Sequence, residues 1–230
     1  MPPAPRTEAE FPLEPFEQEL RSAGTIRIAG LDEAGRGALF GPVVAAAVMV
    51  DPDKELHGVD DSKQLTPRRR HQCFLDLIEK VADWSVGIAS ADEVDRINVL
   101  QATRVAMVRA VRGLSFEPQH LLIDGRIELD VTLPQTALVR GDSRCLSIAA
   151  ASIIAKVSRD TLLMAYARRL PGYGLERNKG YGTEEHIEAL ARRGLTPLHR
   201  STFRVQRLLP FGRKDSGSSG GTSTEGGFGQ

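Results

Sequence analysis

The residues best suited to chemistry are two adjacent carboxylates, Asp32 and Glu33, which lie between the apolar run 25–31 and a Gly-Arg-Gly turn at 35–37. Alternating apolar and polar side chains over 25–31 predict a half-buried strand, and polar groups where such a strand breaks lie at a sheet edge that a substrate can reach. Neighbouring side chains on a strand point to opposite faces, so we expect one carboxylate to face the site and the turn to bring the other round. An ordinary acidic surface turn is the alternative interpretation.

Two further acids occupy comparable places in the sequence. Asp124 ends the apolar run 120–123 and is followed by Gly125, which repeats the arrangement at Asp32. Asp142 follows another short apolar stretch and precedes a long helical pattern, so capping of that helix is its alternative role. Three carboxylates at strand ends and a fourth that enters a helix are together better explained as one cluster than as surface decoration.

A cluster of carboxylates indicates a metal site. Such groups repel one another and take up protons unless a cation compensates, and their usual partner is a hard divalent ion with oxygen ligands, so Mg²⁺ or Mn²⁺ is the expected cofactor. Zinc is disfavoured because the five histidines and two cysteines show no paired ligand spacing. No P-loop, Gly-x-Gly-x-x-Gly turn or Gly-x-Ser-x-Gly elbow between a strand and a helix is present, which disfavours nucleotide-binding and serine-hydrolase classes.

The elements that must position these acids follow a mixed α/β order. The patterns predict strands at 25–31, 42–50, 84–89, 120–124 and 136–139, and helices at about 92–112, 146–169 and 183–193. Residues 1–20 are rich in Pro and Glu and residues 215–230 in Gly, Ser and Thr, so both ends are expected to be disordered. One catalytic domain is expected over 21–214.

Charge is divided unevenly along a chain whose formal net charge is zero. Residues 156–214 carry 13 Lys or Arg against 5 Asp or Glu, whereas residues 1–155 carry 17 against 23. A basic, helical C-terminal part beside an acidic half suits a phosphate-binding module joined to a metal site. A solvated helix face with scattered arginines is the alternative, and composition alone does not separate the two.

Length and composition predict a soluble protein, since 230 residues with 41% hydrophobic content can bury a full core. The longest apolar run, 43–50, is too short to span a bilayer, and the N-terminus has no basic flank followed by an apolar signal segment. Cys73 and Cys145 have no framework spacing and fit free thiols in a reducing compartment. We therefore expect a cytoplasmic location and no membrane association.

Several short motifs occur along the chain in a characteristic order. They are the acidic segment 32–37, Asp-Ser-Lys at 61–63, Ile-Asp-Gly at 123–125, Gly-Asp-Ser at 141–143, the Ala/Ile-rich run 148–157 with Arg159-Asp160, Asn-Lys-Gly-Tyr-Gly-Thr at 178–183, and His199-Arg200 before Phe203. In this order and spacing, over about residues 25–207, the chain resembles the ribonuclease HII family. The combination is far more specific than any single motif.

The resemblance implies an α/β fold of the ribonuclease H-like class, with a mixed sheet whose first strands are antiparallel, flanking helices and a helical C-terminal extension. It implies a metal-dependent endoribonuclease that hydrolyses the RNA strand of RNA/DNA hybrids and incises 5′ of single ribonucleotides in duplex DNA, leaving a 5′-phosphate and a 3′-hydroxyl. Asp32, Glu33, Asp124 and Asp142 would be the catalytic residues and would hold two divalent ions. Which carboxylate serves which ion stays open.

Selectivity for RNA must come from the 2′-hydroxyl. The turn Gly35-Arg36-Gly37 suits this task, because glycines allow close backbone approach and Arg36 can pair with a phosphate. The resemblance assigns the same turn to sensing of the 2′-hydroxyl. It also implies that Tyr181 packs on the neighbouring sugar at a ribose–deoxyribose junction, whereas a structural aromatic residue in a Gly-rich loop is the alternative.

Lysines are the candidates for additional phosphate contacts. Lys156, Lys179 and Lys63 could join Arg36 in this role. Lys156 follows the apolar run 148–155, so packing of its stem with the ammonium group directed outward is an alternative. Ala149, Ala150 and Ala151 are expected to pack closely against the sheet.

A possible partner site lies near the C-terminus, where Gln206, Leu209 and Phe211 have the spacing of short peptides that bind the bacterial sliding clamp. The alternative is that these leucines cover the core. No spacing in the chain indicates an oligomer, and a monomer is expected.

Two other functions remain open from the sequence. One is a nucleic-acid-binding scaffold of the same fold that has lost catalysis, although a pure binder gains nothing from clustered negative charge that faces phosphates. The other is a different nuclease of the same superfold, such as a junction resolvase or an exonuclease. Neither a junction resolvase nor an exonuclease needs a 2′-hydroxyl sensor. The turn 35–37 and Tyr181 therefore favour a ribonuclease HII over these two nucleases.

Overall fold

The computed structural model describes residues 16–54, 56, 59 and 65–203. These residues form five strands, six α-helices and one short 3₁₀ helix. In chain order they are α1 (Phe16–Ser22), β1 (Ile28–Ala34), β2 (Val43–Met49), α2 (Pro67–Lys80), β3 (Asp83–Ala89), α3 (Ala91–Arg112), β4 (His120–Asp124), β5 (Gln135–Leu138), the 3₁₀ helix Gly141–Ser143, α4 (Leu146–Arg169), α5 (Leu175–Asn178) and α6 (Glu184–Arg193).

The strands form one mixed sheet in the order β3-β2-β1-β4-β5. The first three strands are antiparallel neighbours, whereas β4 pairs parallel with β1 and β5 parallel with β4. The strands β3, β4 and β5 therefore run in the same direction as β1 and end at the same edge of the sheet. The predicted fold class, a mixed sheet with antiparallel first strands and flanking helices, is confirmed.

Helices cover both faces of the sheet. The core on one face packs β1, β2 and β4 against α3, and the core on the other packs β2 against α2 and α4. α4 contributes small side chains, Ala149 to Ala151, and approaches β1 so closely that a Cβ at Gly30 would lie 2.2 Å from the carbonyl carbon of Ser147. Close packing of this alanine-rich segment against the sheet is therefore confirmed.

The local signals for the two long helices are clear. Ser90 caps α3 by accepting from the backbone N–H of Glu93, and the Glu93 side chain accepts in return from the N–H of Ser90, which completes a capping box. α4 begins at Leu146 and ends at Arg169, the bounds that periodicity predicted. α2 was not predicted, although Thr66 caps it and Pro67 opens it, which is a standard helix start.

The N-terminal boundary differs from expectation. Residues 1–20 were predicted to be disordered, but α1 begins at Phe16, and the prediction is wrong for residues 16–20. Phe16 and Leu20 pack on a small core that includes Ile28 and Ile148. These apolar contacts join residues distant in sequence, so local Pro and Glu content could not reveal them.

Candidate active site

Asp32 and Asp124 lie side by side because the strands that carry them are parallel neighbours. Leu31 on β1 is opposite Ile123 on β4, so the next position on each strand is an aspartate. Leu31 and Ile123 both belong to the core on the α3 face, and alternation along the strands turns both aspartates toward α4. The register thus gives Asp124 the same setting as Asp32.

Asp32 is buried among other acids. Its exposed fraction is 5%, the backbone N–H of Glu33 donates to its Oδ1 at 2.6 Å, and Ser152 on α4 hydrogen-bonds the same carboxylate. Burial, together with the negative charges of Glu33 and Asp124, raises the pKa of Asp32 well above its usual range. A bound cation would relieve this repulsion.

Glu33 lies within β1, paired with Ala45, and the strand continues to Ala34. The expectation that the strand breaks at the two acids is therefore wrong. The Nη1 of Arg36 lies 3.1 Å from the Oε1 of Glu33, and the Arg36 side chain is 44% exposed. The Glu33 side chain is only 11% exposed, so the exposed partner of this pair is Arg36, whose guanidinium is accessible to an anionic ligand.

Asp142 lies in the 3₁₀ helix that connects β5 to α4 and is buried. Its neighbour Gly141 lies at the site, because the N–H of Gly141 donates to the Oδ1 of Asp124 at 2.7 Å. The N-cap of α4 is Cys145, so Asp142 does not cap that helix. Glu17 of α1 supports this helix start instead, since its Oε1 accepts from the N–H of Ser147.

The donor set suits a hard divalent cation, since all the candidate ligands are carboxylate oxygens. Within the described parts of the chain, no group of three or more His, Cys, Asp or Glu side chains is already arranged around a common point. The raised pKa of Asp32, caused by its burial and its acidic neighbours, fits a site whose charge balance requires such an ion.

The turn after β1 is backed by two buried arginines. Gly35 has a φ of +93°, and a Cβ at this position would lie 2.0 Å from the Nε of Arg159, so a side chain does not fit. Arg200 is 2% exposed and Arg159 is fully buried. Together they donate to the carbonyl groups of Arg36, Phe40, Gly41 and Pro42.

Tyr181 lies next to this turn, in the loop between α5 and α6. The carbonyl of Gly180 accepts from the N–H groups of Leu39 and Phe40 at 2.8 and 3.2 Å. The Tyr181 ring is half-buried, with the guanidinium of Arg159 at 5.3 Å and the ammonium of Lys156 at 5.7 Å from its centre. The structure thus brings the turn 35–37 and Tyr181 together.

The three candidate lysines have different surroundings. Lys156 forms an ion pair with Asp160 at 2.7 Å and remains beside Tyr181, so its ammonium is directed toward the site rather than only snorkelling from the core. Lys179 donates to the carbonyl of Glu176 at 2.6 Å, and burial lowers the pKa of its ammonium. Lys63, with the rest of its Asp-Ser-Lys motif, lies outside the described residues.

Sequence reasoning assigned no role to Ser152, Arg159 and Arg200, which the structure places at the site. Ser152 hydrogen-bonds Asp32, and the two arginines brace the turn. Each of them belongs to a quoted motif, and that membership was the only available signal. Their partners are distant in sequence, so no local pattern could assign them.

The candidate residues lie on β1, at the end of β4 and in the segments that follow these strands. A separate groove of about 640 Å³ lies along α3 and the segment after β4, and none of the candidate residues lines it. Among the described helices, none combines the length and the apolar character needed to cross a membrane.

Comparison with known proteins gives a consistent result. The model of the family described as ribonuclease HII matches residues 29–206. The ribonuclease HII of Syntrophotalea carbinolica is 51% identical over 192 residues, which cover 84% of this chain and 92% of that protein. The ribonuclease HII of Geobacillus kaustophilus is 51% identical over 188 residues, which cover 82% of this chain and 72% of that protein.

A solved structure agrees with the fold. The crystal structure of ribonuclease H2 from Pyrococcus horikoshii is similar with a TM-score of 0.67 and 27% sequence identity. The alignment covers 79% of this chain and 96% of that one. Its near-complete coverage shows that the sheet and helices described above form the common architecture.

Proposed function

The chain belongs to the ribonuclease HII family, and we propose that it is a divalent-metal-dependent enzyme that cleaves RNA in RNA/DNA hybrids and incises 5′ of single ribonucleotides in duplex DNA. Family membership makes it an endoribonuclease with ribonuclease H activity. We further propose which residues hold the metal. We also propose that the enzyme incises at single ribonucleotides and that its products carry a 5′-phosphate and a 3′-hydroxyl.

The observation that carries this proposal is the group of acids within β1, at the end of β4 and in the 3₁₀ helix before α4. Asp32 and Asp124 are adjacent, and the negative charge of Glu33 acts on Asp32. Asp142 directly follows Gly141, whose N–H donates to the carboxylate of Asp124. The preferred ion is Mg²⁺ or Mn²⁺, because both favour carboxylate oxygens. A nucleic-acid-binding scaffold without catalytic activity would gain nothing from carboxylates that repel one another and the phosphates of its ligand.

Asp32, Glu33, Asp124 and Asp142 would hold the ions. Asp32 would serve both of them, Glu33 and Asp124 one, and Asp142 the other. When bound, the ions supply an activated water and stabilise the leaving 3′ oxygen. The protein supplies the rest: Ser152 and the N–H of Glu33 fix the orientation of the Asp32 carboxylate, and Gly141 fixes that of Asp124.

Selectivity for a ribonucleotide is proposed to reside in Gly35, Arg36 and Gly37. Gly37 is exposed, with open space around it, so its backbone can approach a sugar directly. The Arg36 guanidinium could contact a phosphate, because its side chain is 44% exposed. The buried arginines behind the turn keep its backbone rigid, which a hydrogen bond to a 2′-hydroxyl requires.

Tyr181 is proposed to pack on the sugar that follows the ribonucleotide, and Lys156, Lys179 and Lys63 to contact phosphates. Tyr181 and Lys156 support this because they stand together beside the turn. The basic part 156–214 would then bind the backbone of the duplex by charge. We propose that residues 21–214 act as one catalytic unit, between extensions at 1–20 and 215–230.

Binding to the sliding clamp through Gln206, Leu209 and Phe211 remains a proposal that rests on spacing alone, and the motif lies outside the described residues. Titration of the clamp with the chain and with a Leu209→Ala, Phe211→Ala double variant would test it. Loss of binding in the double variant is expected, and the absence of wild-type binding would contradict it. The monomeric state and the cytoplasmic location also stay predictions.

The test of the main proposal is cleavage of a labelled DNA duplex that contains one ribonucleotide, with Mg²⁺, with Mn²⁺ or with EDTA, beside an all-DNA duplex. We expect metal-dependent incision only on the 5′ side of the ribonucleotide. Binding without incision would favour the scaffold. Equal cutting of the all-DNA duplex would point to a different nuclease of the superfold.

A further inference from the structure

Two buried histidines form a pair behind the Tyr181 loop. His186 on α6 is fully buried and His199 is 4% exposed. Their Nε2 atoms are 3.2 Å apart, and the ring of His199 also contacts Phe40 edge-on at 4.8 Å between ring centres. A hydrogen bond between two imidazoles requires a hydrogen on one Nε2 and a lone pair on the other.

The surrounding backbone determines which imidazole donates. The N–H of Thr196 lies 2.9 Å from the Nδ1 of His199, and since an N–H only donates, this Nδ1 must accept. Neutral His199 therefore carries its hydrogen on Nε2 and donates it to His186. His186 then carries its hydrogen on Nδ1.

The far end of the chain of hydrogen bonds gives the same assignment independently. The Nδ1 of His186 lies 3.0 Å from the carbonyl oxygen of Tyr181, which only accepts. The hydrogen bonds therefore run in one direction from Thr196 through His199 and His186 to Tyr181. We call these four residues the histidine relay.

The histidine relay ends in a loop that other contacts also restrain. Arg159 donates to the carbonyl of Lys179 at 2.9 Å, and the side chain of Asn178 accepts from the N–H of Gly180 at 2.8 Å. These bonds hold the residues before Tyr181. The relay and the N–H of Thr183 hold the carbonyl of Tyr181 itself, and so fix the end of the loop from which its ring projects.

We propose that His186 and His199 are positioning residues that fix the Tyr181 backbone and so orient its ring for a ribose–deoxyribose junction. This inference rests on the proposed function, in which Tyr181 meets the sugar after the ribonucleotide. It assigns the histidines a role in selecting the junction and none in the chemical step. Cleavage of a long RNA/DNA hybrid, which contains no such junction at most positions, depends less on the relay.

Each imidazole of the relay has one nitrogen lone pair, and each lone pair already accepts a hydrogen bond. An added proton on either ring would therefore displace the group that donates to that nitrogen. Burial lowers the pKa of both histidines, that of His199 to about 4. The groups that face the pair include the Tyr173 ring, which contacts both imidazoles, and Glu185, whose carboxylate is bound by Arg177. The hydroxyl of Thr196 also lies 2.8 Å from the Nδ1 of His199 and can donate to it beside the backbone N–H. The next residue, Arg200, directs its guanidinium to other carbonyl groups.

The experiment compares two substitutions of one histidine on two substrates. His186→Leu removes the donor to Tyr181, whereas His186→Asn keeps an N–H donor near the position of Nδ1. We expect His186→Leu to lower kcat/KM on a single-ribonucleotide duplex about tenfold more than on an RNA/DNA hybrid, because a small displacement of a positioning group is costly. His186→Asn should recover most of that selectivity.

Tyr181→Ala provides the control that separates positioning from stability. In the Tyr181→Ala protein, the ring that the relay orients is absent. His186→Leu should therefore cause no further change in the ratio of kcat/KM on the single-ribonucleotide duplex to kcat/KM on the RNA/DNA hybrid. Equal losses on both substrates, in proportion to a fall in the unfolding midpoint, would overturn the proposal. So would an additional change of the ratio in the Tyr181→Ala background.

The imidazole nitrogen-15 chemical shifts test the relay without any substrate. We expect the Nε2–H form of His199 and the Nδ1–H form of His186 in the wild-type protein at neutral pH. The opposite forms would overturn the relay whatever the activity. Expected shifts together with no incision at a single ribonucleotide would instead contradict the proposed function, and the positioning role would fall with it.

Discussion

Asp32 is the residue in which local environment and proposed chemistry are most closely linked. It is buried, it accepts from the N–H of Glu33, and it adjoins a second aspartate across the parallel pair β1 and β4. A group in this setting lowers the stability of the metal-free protein while it creates affinity for a cation. The same side chain should therefore have opposite effects on folding and on catalysis.

Asp32→Asn should separate these two effects. We expect incision with Mg²⁺ to fall by about a thousandfold or more, because an amide does not compensate cationic charge. The unfolding midpoint in EDTA should rise by a few degrees, about 1 kcal/mol, because a buried charge is removed. Activity assays and thermal melts with and without Mg²⁺ measure both, and near wild-type turnover would reject the assignment of Asp32 as a ligand.

Tyr181 makes a second prediction at the scale of one side chain. Tyr181→Ala should reduce cleavage at a single ribonucleotide by about tenfold or more and change the unfolding midpoint little, because the ring is half-buried and its main contacts are with cationic groups. Tyr181→Phe is the matched control, since it keeps the ring and should keep activity. Parallel losses of activity and stability in Tyr181→Ala would favour the structural alternative.

At the scale of elements, the position of α4 over β1 depends on Gly30. A Cβ there would lie 2.2 Å from the backbone of Ser147, and backbone cannot move aside as a flexible side chain does. Gly30→Ala should therefore lower the free energy of unfolding by about 3 kcal/mol or more, measured by urea denaturation. Gly37→Ala is the control: open space surrounds that position, so stability should hold while incision falls.

The start of α3 gives a pH prediction. Hydrogen bonds from Arg109 and from the backbone of Ser90 lower the pKa of Glu93 to about 2. A carboxyl with a lowered folded-state pKa contributes stability above its ordinary pKa, and that stability is lost as the pH falls from about 4.5 toward 2. With its partial exposure taken into account, the contribution is about 1–2 kcal/mol.

Glu93→Gln measures that contribution. At pH 7 the variant should be less stable than the wild type, and the difference should shrink as the pH falls through the acid range, because the wild-type carboxyl is then protonated. Urea denaturation at several pH values gives both curves. A difference in stability that is constant with pH would show that the capping geometry alone matters and that the charge does not.

At the scale of the whole molecule, charge is divided between an acidic sheet edge and a basic C-terminal part. Lys156 lies where the two meet, paired with Asp160 and beside Tyr181. If Lys156 contacts a phosphate, Lys156→Gln should reduce the slope of the logarithm of the nucleic-acid binding constant against the logarithm of the salt concentration. The expected reduction is about 0.7–0.9, the value for one phosphate contact. Arg96→Gln, an exposed residue of α3 paired with Asp92, should leave the slope unchanged.

Much of the fold and the candidate site could be predicted from the sequence. The strands at His120–Asp124 and Val43–Met49 and the helix Leu146–Arg169 agree with the predicted segments, because strand and helix periodicity is a local property of the chain. The carboxylates could be singled out because acids rarely end apolar runs. The family follows from motifs that keep their order and spacing.

Only the tertiary structure decided which residues meet. Asp32 and Asp124 become neighbours through the register of two parallel strands, and Arg200 reaches the carbonyl of Arg36 from the other end of the chain. The relay from Thr196 to Tyr181 likewise joins segments that no periodicity connects. The physical reason is that side-chain type and local period specify each element, whereas contacts between distant residues depend on how the sheet and helices pack.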